Sequence, residues 1–217
     1  MERTRRYIFS LVLVVIVMGI ISYQNYENRK DLVFAEALSE VAVTVDDKEL
    51  TLFDMAFYVA YQEKEVQKEA VIYNNEKPRK YWNAHTNGKF VRSVAEEAVV
   101  DMAVHDEIFY QMAVAEGIEL DEHEEAYLAN EVYDFCSDLT DAQFGKLGVT
   151  ADDIEATMRK IAIANKYQSI LTQIEGVDYT EYDYTGSLYT ELLEQREVVV
   201  NENLWDRISL GSITVNN

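Results

Sequence analysis

The residues of this chain that could take part in catalysis or bind a metal are few and lie far apart in the sequence. The three histidines are His85, His105 and His123. His123 stands in the acidic run DEHEE, but no second histidine follows four residues later, and Glu124 suits a helix cap better than a metal ligand. Cys136 is the single cysteine, lacks a recognisable nucleophile motif and can form no disulfide within the chain. We therefore expect no catalytic residue, no metal and no cofactor.

Aromatic side chains are the remaining residues with binding potential. The chain has 15 tyrosines, 8 phenylalanines and 2 tryptophans, more than a core of this size needs. Tyrosine and tryptophan offer apolar area to an extended peptide while one polar atom stays in water, and methionine adds adaptable apolar surface. The residues that we predict to line a peptide-binding cradle are Tyr58, Tyr61, Tyr73, Tyr81, Trp82, Met102 and Met112. The first five are expected on the outer part of the first helix and of the loop that follows it. Ordinary core packing is the alternative for each of them.

These residues lie on helices whose start signals are visible in the sequence. Valine alternates with smaller residues over Val41–Val45, which predicts a strand, and a turn then leads into a short returning strand. Thr51 and Asp54 form the N-terminal signal of a helix that we predict to end near Tyr73. The apolar residues that we expect this helix to bury are Leu52, Phe53, Ala56, Phe57 and Ala60.

Further helices follow the single proline, Pro78, which cannot continue the first one. The longest is predicted from near Gly88 to Gly117, with an inward stripe of Phe90, Val91, Val94, Ala95, Ala98, Val99, Met102, Phe109 and Met112. Three capped helices are then predicted to start at Asp121, Thr140 and Thr150, and the last of these buries Ile154, Met158, Ile161, Ala162 and Ile170. The tail predicts a helix end at Tyr189–Gln195, a strand at Glu197–Val200 and a capped turn at Asn201–Ile208.

The N-terminal run Tyr7–Tyr23 is uncharged and mostly apolar, and it directly follows three arginines. Seventeen such residues rise roughly 25 Å in a helix, close to the hydrocarbon thickness of a bilayer. Because no small-residue cleavage site follows, we predict an uncleaved signal anchor, and a cleaved signal peptide is the alternative. The positive-inside bias places the C-terminal part on the extracytoplasmic side of the cell membrane.

The charge balance excludes one class of partner. Of 19 basic and 40 acidic residues, three arginines and one glutamate precede residue 24, which leaves the remainder with a net charge of −23. A domain of this charge repels nucleic acid and anionic headgroups. We therefore predict no nucleic-acid partner.

The expected division of the chain is a cytoplasmic tail over 1–6, an anchor over 7–23, a juxtamembrane spacer over 24–40, a helical domain over 41–175 and a returning tail over 176–217.

Three stretches together resemble a known family. They are the hairpin VAVTVDDKELT, the helix end AEGIELDEHE and the capped start LGVTADDIEATMRK. In this order they are similar to the N-terminal chaperone domain of the SurA/PrsA-type extracytoplasmic foldases, over roughly 41–175. Asp46-Asp47 stands where the family commonly has Asn-Gly, and Asp121 stands in for a threonine, so the turn and cap chemistry is kept.

The resemblance implies a mainly α fold with a small β-hairpin or sheet that the C-terminal strand completes. In two-domain members a parvulin prolyl isomerase is inserted before the returning tail, but Glu175–Tyr184 is too short to hold one. The expected function is therefore a membrane-anchored chaperone that binds unfolded or newly secreted polypeptides without covalent chemistry. A non-catalytic interaction module for one envelope partner and a divergent peptidyl-prolyl isomerase are the alternatives. Exposed aromatic helices are also compatible with a homodimer.

Overall fold

The structure, a computed structural model, describes residues 31–215. The predicted anchor Tyr7–Tyr23 lies outside this range. Among the described residues, no helix has both the length and the apolar character needed to cross a bilayer. The helices are α1 (Leu52–Tyr73), α2 (Arg79–Trp82), α3 (Val91–Ala115), α4 (Glu122–Ser137), α5 (Asp141–Leu147), α6 (Ala151–Glu175), α7 (Ser187–Leu193) and α8 (Glu202–Trp205), with 3-10 turns at Phe34–Glu36 and Tyr179–Tyr182.

A three-stranded antiparallel sheet joins the two ends of the described chain. Its central strand β1 (Val41–Val45) pairs with β2 (Lys48–Thr51) on one side. On the other side it pairs with the C-terminal strand β5 (Val198–Val200), in a register that places Thr44 opposite Val199. The predicted return of the tail to the first hairpin is confirmed, and a mainly α fold with a small sheet is observed.

The predicted helix starts are confirmed in their chemistry as well as their position. Each of the four start residues forms a reciprocal capping box, in which its side chain accepts from a backbone N–H one turn later while that residue's side chain accepts from the cap. The four pairs are Thr51 with Asp54, Asp121 with Glu124, Thr140 with Gln143, and Thr150 with Asp153. These local interactions fix where α1, α4, α5 and α6 begin.

The start of the long helix was predicted too early. A small hairpin of β3 (His85–Thr86) and β4 (Lys89–Phe90) precedes α3. The two residues at its turn, Asn87 and Gly88, have φ values of 52° and 87°. Such a pair suits a two-residue hairpin turn, because its backbone twist matches that of the flanking strands.

Three residues expected on buried helix faces lie at the surface instead. Phe90 is in β4 and 53% exposed, and Val94 in the first turn of α3 is 44% exposed. Phe53 in the first turn of α1 is exposed as well. In each case the residue belongs to the first turn or the approach of a helix, where the apolar stripe has not yet met the neighbouring helices.

The segment before β1 belongs to the compact domain and is not a spacer in its described part. Phe34 is buried in the core. The backbone N–H of Leu32 donates to the Arg207 carbonyl at 2.7 Å, and that of Phe53 donates to the Leu38 carbonyl at 3.0 Å. Folding therefore extends about ten residues further toward the N-terminus than the strand pattern indicated, since hydrogen bonds to distant partners hold this irregular segment.

The core is closed by the last described residues, which wrap back over α1 and α2. Leu210 and Ile213 are buried, and Gly211 sits against the ring of Trp82. A Cβ atom at Gly211 would lie 2.4 Å from that ring, and the residue has a φ of 85°. Only glycine fits both constraints, so the tail and the Trp82 ring pack directly on each other.

Candidate functional site

Two adjoining clefts open along α6 and share the side chains of Phe57, Ile161 and Asn165. We call their union the tyrosine groove. The first cleft, of about 440 Å³, lies between α4 and α6 and is otherwise lined by Leu120, His123, Glu124, Tyr127, Leu128, Glu131, Met158, Ala162 and Lys166. The second, of about 290 Å³, lies between α1, α3, α6 and the 3-10 turn, and its other lining residues are Tyr58, Tyr61, Met102, His105, Asp106, Gln168, Tyr179, Asp183 and Tyr184.

Aromatic and apolar side chains form the walls of the groove. Tyr61 and Phe57 stack on α1 with ring centroids 6.0 Å apart. Tyr127 on α4 is 62% exposed, and Tyr184 beyond the 3-10 turn is also exposed. Rings that keep both apolar area and a hydroxyl in water are suited to contact an incoming polypeptide.

A chain of hydrogen bonds beneath the second cleft holds three elements together. The Tyr58 hydroxyl donates to Asp106 Oδ2 at 3.1 Å. Asp106 Oδ1 lies 3.0 Å from His105 Nδ1, and His105 Nε2 lies 2.9 Å from the Tyr182 carbonyl oxygen. Because that carbonyl can only accept, the imidazole carries a hydrogen on Nε2 in this arrangement. The chain thus links α1 to α3 and α3 to the 3-10 turn.

The role of His105 follows from these contacts. Its ring is buried, stands against Phe109 and Tyr189 with centroids 4.8 and 4.9 Å away, and has both nitrogens engaged. Burial, with the Asp106 charge as a further cause, raises the pKa of the Tyr58 hydroxyl well above its usual value. We assign both side chains to positioning the groove wall.

The groove has more acidic side chains than basic side chains that could neutralise them. Lys166 Nζ donates to Glu124 Oε2 at 2.6 Å and is thereby neutralised. Asp183 accepts from the amide of Gln168 at 3.2 Å, which leaves its charge in place. The pKa of Tyr127 is raised, chiefly by the nearby Glu131 carboxylate. The groove is therefore an apolar channel with an acidic rim.

Three of the seven residues predicted to bind peptide meet in the second cleft: Tyr58, Tyr61 and Met102. Tyr58 was expected on the outer part of α1 but is buried, so it forms part of the floor of the second cleft and not of its rim. The burial of Tyr58 depends on α3, which supplies Asp106 to its hydroxyl, and helical spacing within α1 could not reveal this.

The other four lie elsewhere. Tyr73 and Tyr81 pair with ring centroids 5.2 Å apart at the far end of α1, where the Tyr81 hydroxyl donates to Glu69. Trp82 was expected on the outside but is 1% exposed, beneath the C-terminal tail. Met112 is half-buried against the core. The structure therefore does not gather the predicted set into one site.

Several lining residues were missed by sequence reasoning. Phe57, Met158 and Ile161 were assigned to the core by their helical spacing, and Tyr127 was not singled out. The predicted set also lacks Tyr179 and Tyr184, which lie in the short connection EGVDYTEYDY and line the second cleft. The tyrosine density of that connection was a usable signal, since a plain linker has no need for three such rings.

Other parts of the described chain offer weaker candidates. A cleft of about 630 Å³ beside the C-terminal tail is lined by Lys64, Lys68, Asp138 and Gln143 among others, with no aromatic side chain. Among residues 31–215, no group of three histidine, cysteine or acidic side chains could hold a metal ion. His123 lies in the first turn of α4, where Glu124 serves as the cap partner of Asp121. Cys136 is half-buried, and burial raises the pKa of its thiol.

No family model matches the chain, and comparison with curated proteins and with solved structures likewise finds no match. The candidate site is thus defined by geometry alone. Its features are a channel between helices, aromatic side chains on both walls, and carboxylates at the rim.

Proposed function

We propose that this chain is a membrane-anchored polypeptide-binding protein that acts as a chaperone on the extracytoplasmic side of the membrane, in the manner of the SurA/PrsA-type foldases that its sequence resembles. The observation that carries the proposal is the tyrosine groove, which combines open apolar volume with exposed aromatic rings. The bound species would be unfolded or newly secreted polypeptide.

The mechanism is reversible burial of apolar client side chains in the two clefts. Burying one leucine or phenylalanine contributes roughly 1.5–3 kcal/mol. Loss of translational freedom and ordering of the client chain offset much of this gain. A client that fills both clefts is therefore expected to bind with a Kd of about 1–100 μM. Such affinity allows repeated release, so the client can fold between encounters.

The remaining parts of the chain have roles that fit this mechanism. An anchor at Tyr7–Tyr23 would raise the local concentration of the groove near polypeptides that emerge from the membrane. The acidic surface would limit self-association through repulsion. Residues 176–186, where two-domain foldases carry an isomerase, hold only the 3-10 turn between α6 and α7. Proline isomerisation is accordingly not part of the proposed function.

The test is suppression of aggregation of a reduced, unfolded client protein by the full chain in lipid nanodiscs, with empty nanodiscs as the blank. Two variants on α4 provide a matched pair, because Tyr127 (62% exposed) lines the groove and Tyr133 (74% exposed) does not. Tyr127→Ser removes one aromatic contact, worth about 1 kcal/mol, and should weaken client binding about fivefold. Tyr133→Ser should leave it unchanged.

The outcomes separate the proposal from its alternatives. Equal losses in the two variants, or no suppression by folded protein in excess, would refute a client-binding groove. Capture of one stoichiometric partner in place of a range of unfolded chains would favour the dedicated interaction module. Acceleration of proline isomerisation in a short peptide would favour the isomerase.

A further inference from the structure

The rim of the tyrosine groove pairs an exposed tyrosine ring with a carboxylate in each of the two clefts. On α4, Tyr127 lies one helical turn before Glu131, and beyond the 3-10 turn Asp183 lies directly before Tyr184. Both carboxylates line the clefts. Tyrosine rings attract cations through their faces, and carboxylates accept from guanidinium or ammonium groups. The combination suits lysine and arginine side chains.

The charges of the groove do not cancel. Lys166 is its one lysine and it contains no arginine among the described lining residues, and Glu124 already accepts from Lys166. Asp106 accepts from Tyr58 and faces His105 at the floor. The Asp183 side chain accepts from the neutral Gln168 amide, and Glu131 lies beside the neutral Tyr127 hydroxyl.

The neighbouring carboxylates contribute to the raised pKa values of two tyrosines of the groove. Burial together with the Asp183 charge raises the pKa of Tyr179, and the Glu131 charge raises the pKa of Tyr127. The two positions lie in different clefts, so each cleft has a carboxylate close to a tyrosine.

We infer that the groove selects polypeptide segments in which apolar residues are flanked by lysine or arginine. This inference rests on the proposed function and names its preferred client chemistry. Apolar side chains enter the two clefts, while the flanking cations reach Glu131 at one end and Asp183 at the other. An acidic segment of equal hydrophobicity is disfavoured by like-charge repulsion at the same two places.

The experiment measures fluorescence anisotropy of three labelled peptides that share a core of leucine, phenylalanine and serine. The flanks are lysine and arginine in the first peptide, serine in the second and glutamate in the third. The full chain in nanodiscs of zwitterionic lipid is titrated against each, with empty nanodiscs subtracted. We expect the basic peptide to bind about threefold to tenfold more tightly than the serine peptide, and the acidic peptide more weakly than either.

A double variant isolates the two carboxylates from the overall charge of the domain. Glu131→Gln with Asp183→Asn should bring the affinity for the basic peptide close to that for the serine peptide, so that the ratio of the two affinities falls toward one. The control, Glu76→Gln with Glu194→Gln, removes the same net charge from exposed positions outside the groove. Added salt should weaken the binding of the basic peptide but not that of the serine peptide, because it screens charge–charge interactions; the Debye length is only about 8 Å at physiological ionic strength.

Each result bears on a different claim. If the three peptides bind equally, or if the control lowers the affinity for the basic peptide as much as the groove variant does, the inferred selectivity is wrong while polypeptide binding stands. If none of the peptides binds to folded protein, the proposed function and the inference fail together.

Discussion

Removal of the Glu63 carboxylate should detach the C-terminal tail from the rest of the domain. Glu63 on α1 is fully buried. Its Oε1 accepts from the backbone N–H groups of Gly211, Ser212 and Ile213 at 2.5, 3.1 and 3.1 Å. Its Oε2 accepts from the Thr214 N–H and from the Thr214 hydroxyl, the latter at 2.6 Å. Successive N–H groups of this kind form a concave site that stabilises an anion without a cation.

The size of the effect follows from the donors left behind. Glu63→Ala removes the acceptor of four backbone N–H groups, of which only that of Ser212 has another, the Ser209 carbonyl. A buried donor without a partner costs about 1–3 kcal/mol, and release of the tail limits the total. We expect the free energy of unfolding to fall by about 4 kcal/mol, near the upper range for a broken buried polar network.

Glu63→Gln refines the prediction. Its carbonyl oxygen can accept from the N–H groups of Gly211 and Ile213, while its amide NH₂ meets the Thr214 N–H, and two donors cannot bond to each other. The hydroxyl of Thr214 can rotate to accept, so one hydrogen bond is lost. We expect a loss of about 2 kcal/mol.

The assay is urea unfolding of the full chain in mild detergent, followed by tryptophan fluorescence. The two tryptophans are Trp82, which packs on Gly211, and Trp205, whose indole donates to the Ala42 carbonyl. Glu65→Ala is the control, because Glu65 on the same helix pairs with Lys68 at the surface and should cost at most about 0.5 kcal/mol. If Glu63→Ala and Glu65→Ala unfold at the same urea concentration, the carboxylate does not hold the tail.

Two further predictions concern stability. Burial, with the Asp206 and Glu202 charges as further causes, raises the pKa of Glu96 to about 7. Because the folded state favours the neutral carboxyl, the free energy of unfolding should fall as the pH rises from 4.5 to 7. Urea unfolding should show that Glu96→Gln recovers about 2 kcal/mol at pH 8 and nothing at pH 4. Gly211→Ala should cost about 2–4 kcal/mol, since the new Cβ meets the Trp82 ring at a positive φ; an unchanged melting temperature by circular dichroism would contradict the tight packing of the tail.

The sequence determined the helix starts because each depends on residues three positions apart. The Thr150–Asp153 capping box, for example, forms within the first turn of α6 whatever packs against that helix later. The valines at Val41–Val45 and in the tail likewise predicted two strands from the sequence. That these strands meet was an expectation from the family resemblance, and the structure pairs them as β1 and β5.

The sequence also contains a signal for the hairpin before α3. Asn87-Gly88 is a strong two-residue turn signal, and Thr86 and Phe90 on its flanks have β propensity. The predicted helix includes this turn, because the apolar stripe of the helix continues backward through Phe90. In the structure the turn residues, and not the apolar periodicity, set the helix boundary.

Only the tertiary structure decided what surrounds each ring and each charge. Glu63 finds its donors 148 to 151 positions away, and the tyrosine groove joins side chains of α1, α3, α4 and α6 with the 3-10 turn. Periodicity assigns a residue to a helix face, but it does not say whether that face meets another helix, the returning tail or water. Tyr58 and Trp82 were therefore placed outside and are buried, while Tyr127 and Tyr184 line the channel, because packing between distant segments fixes exposure.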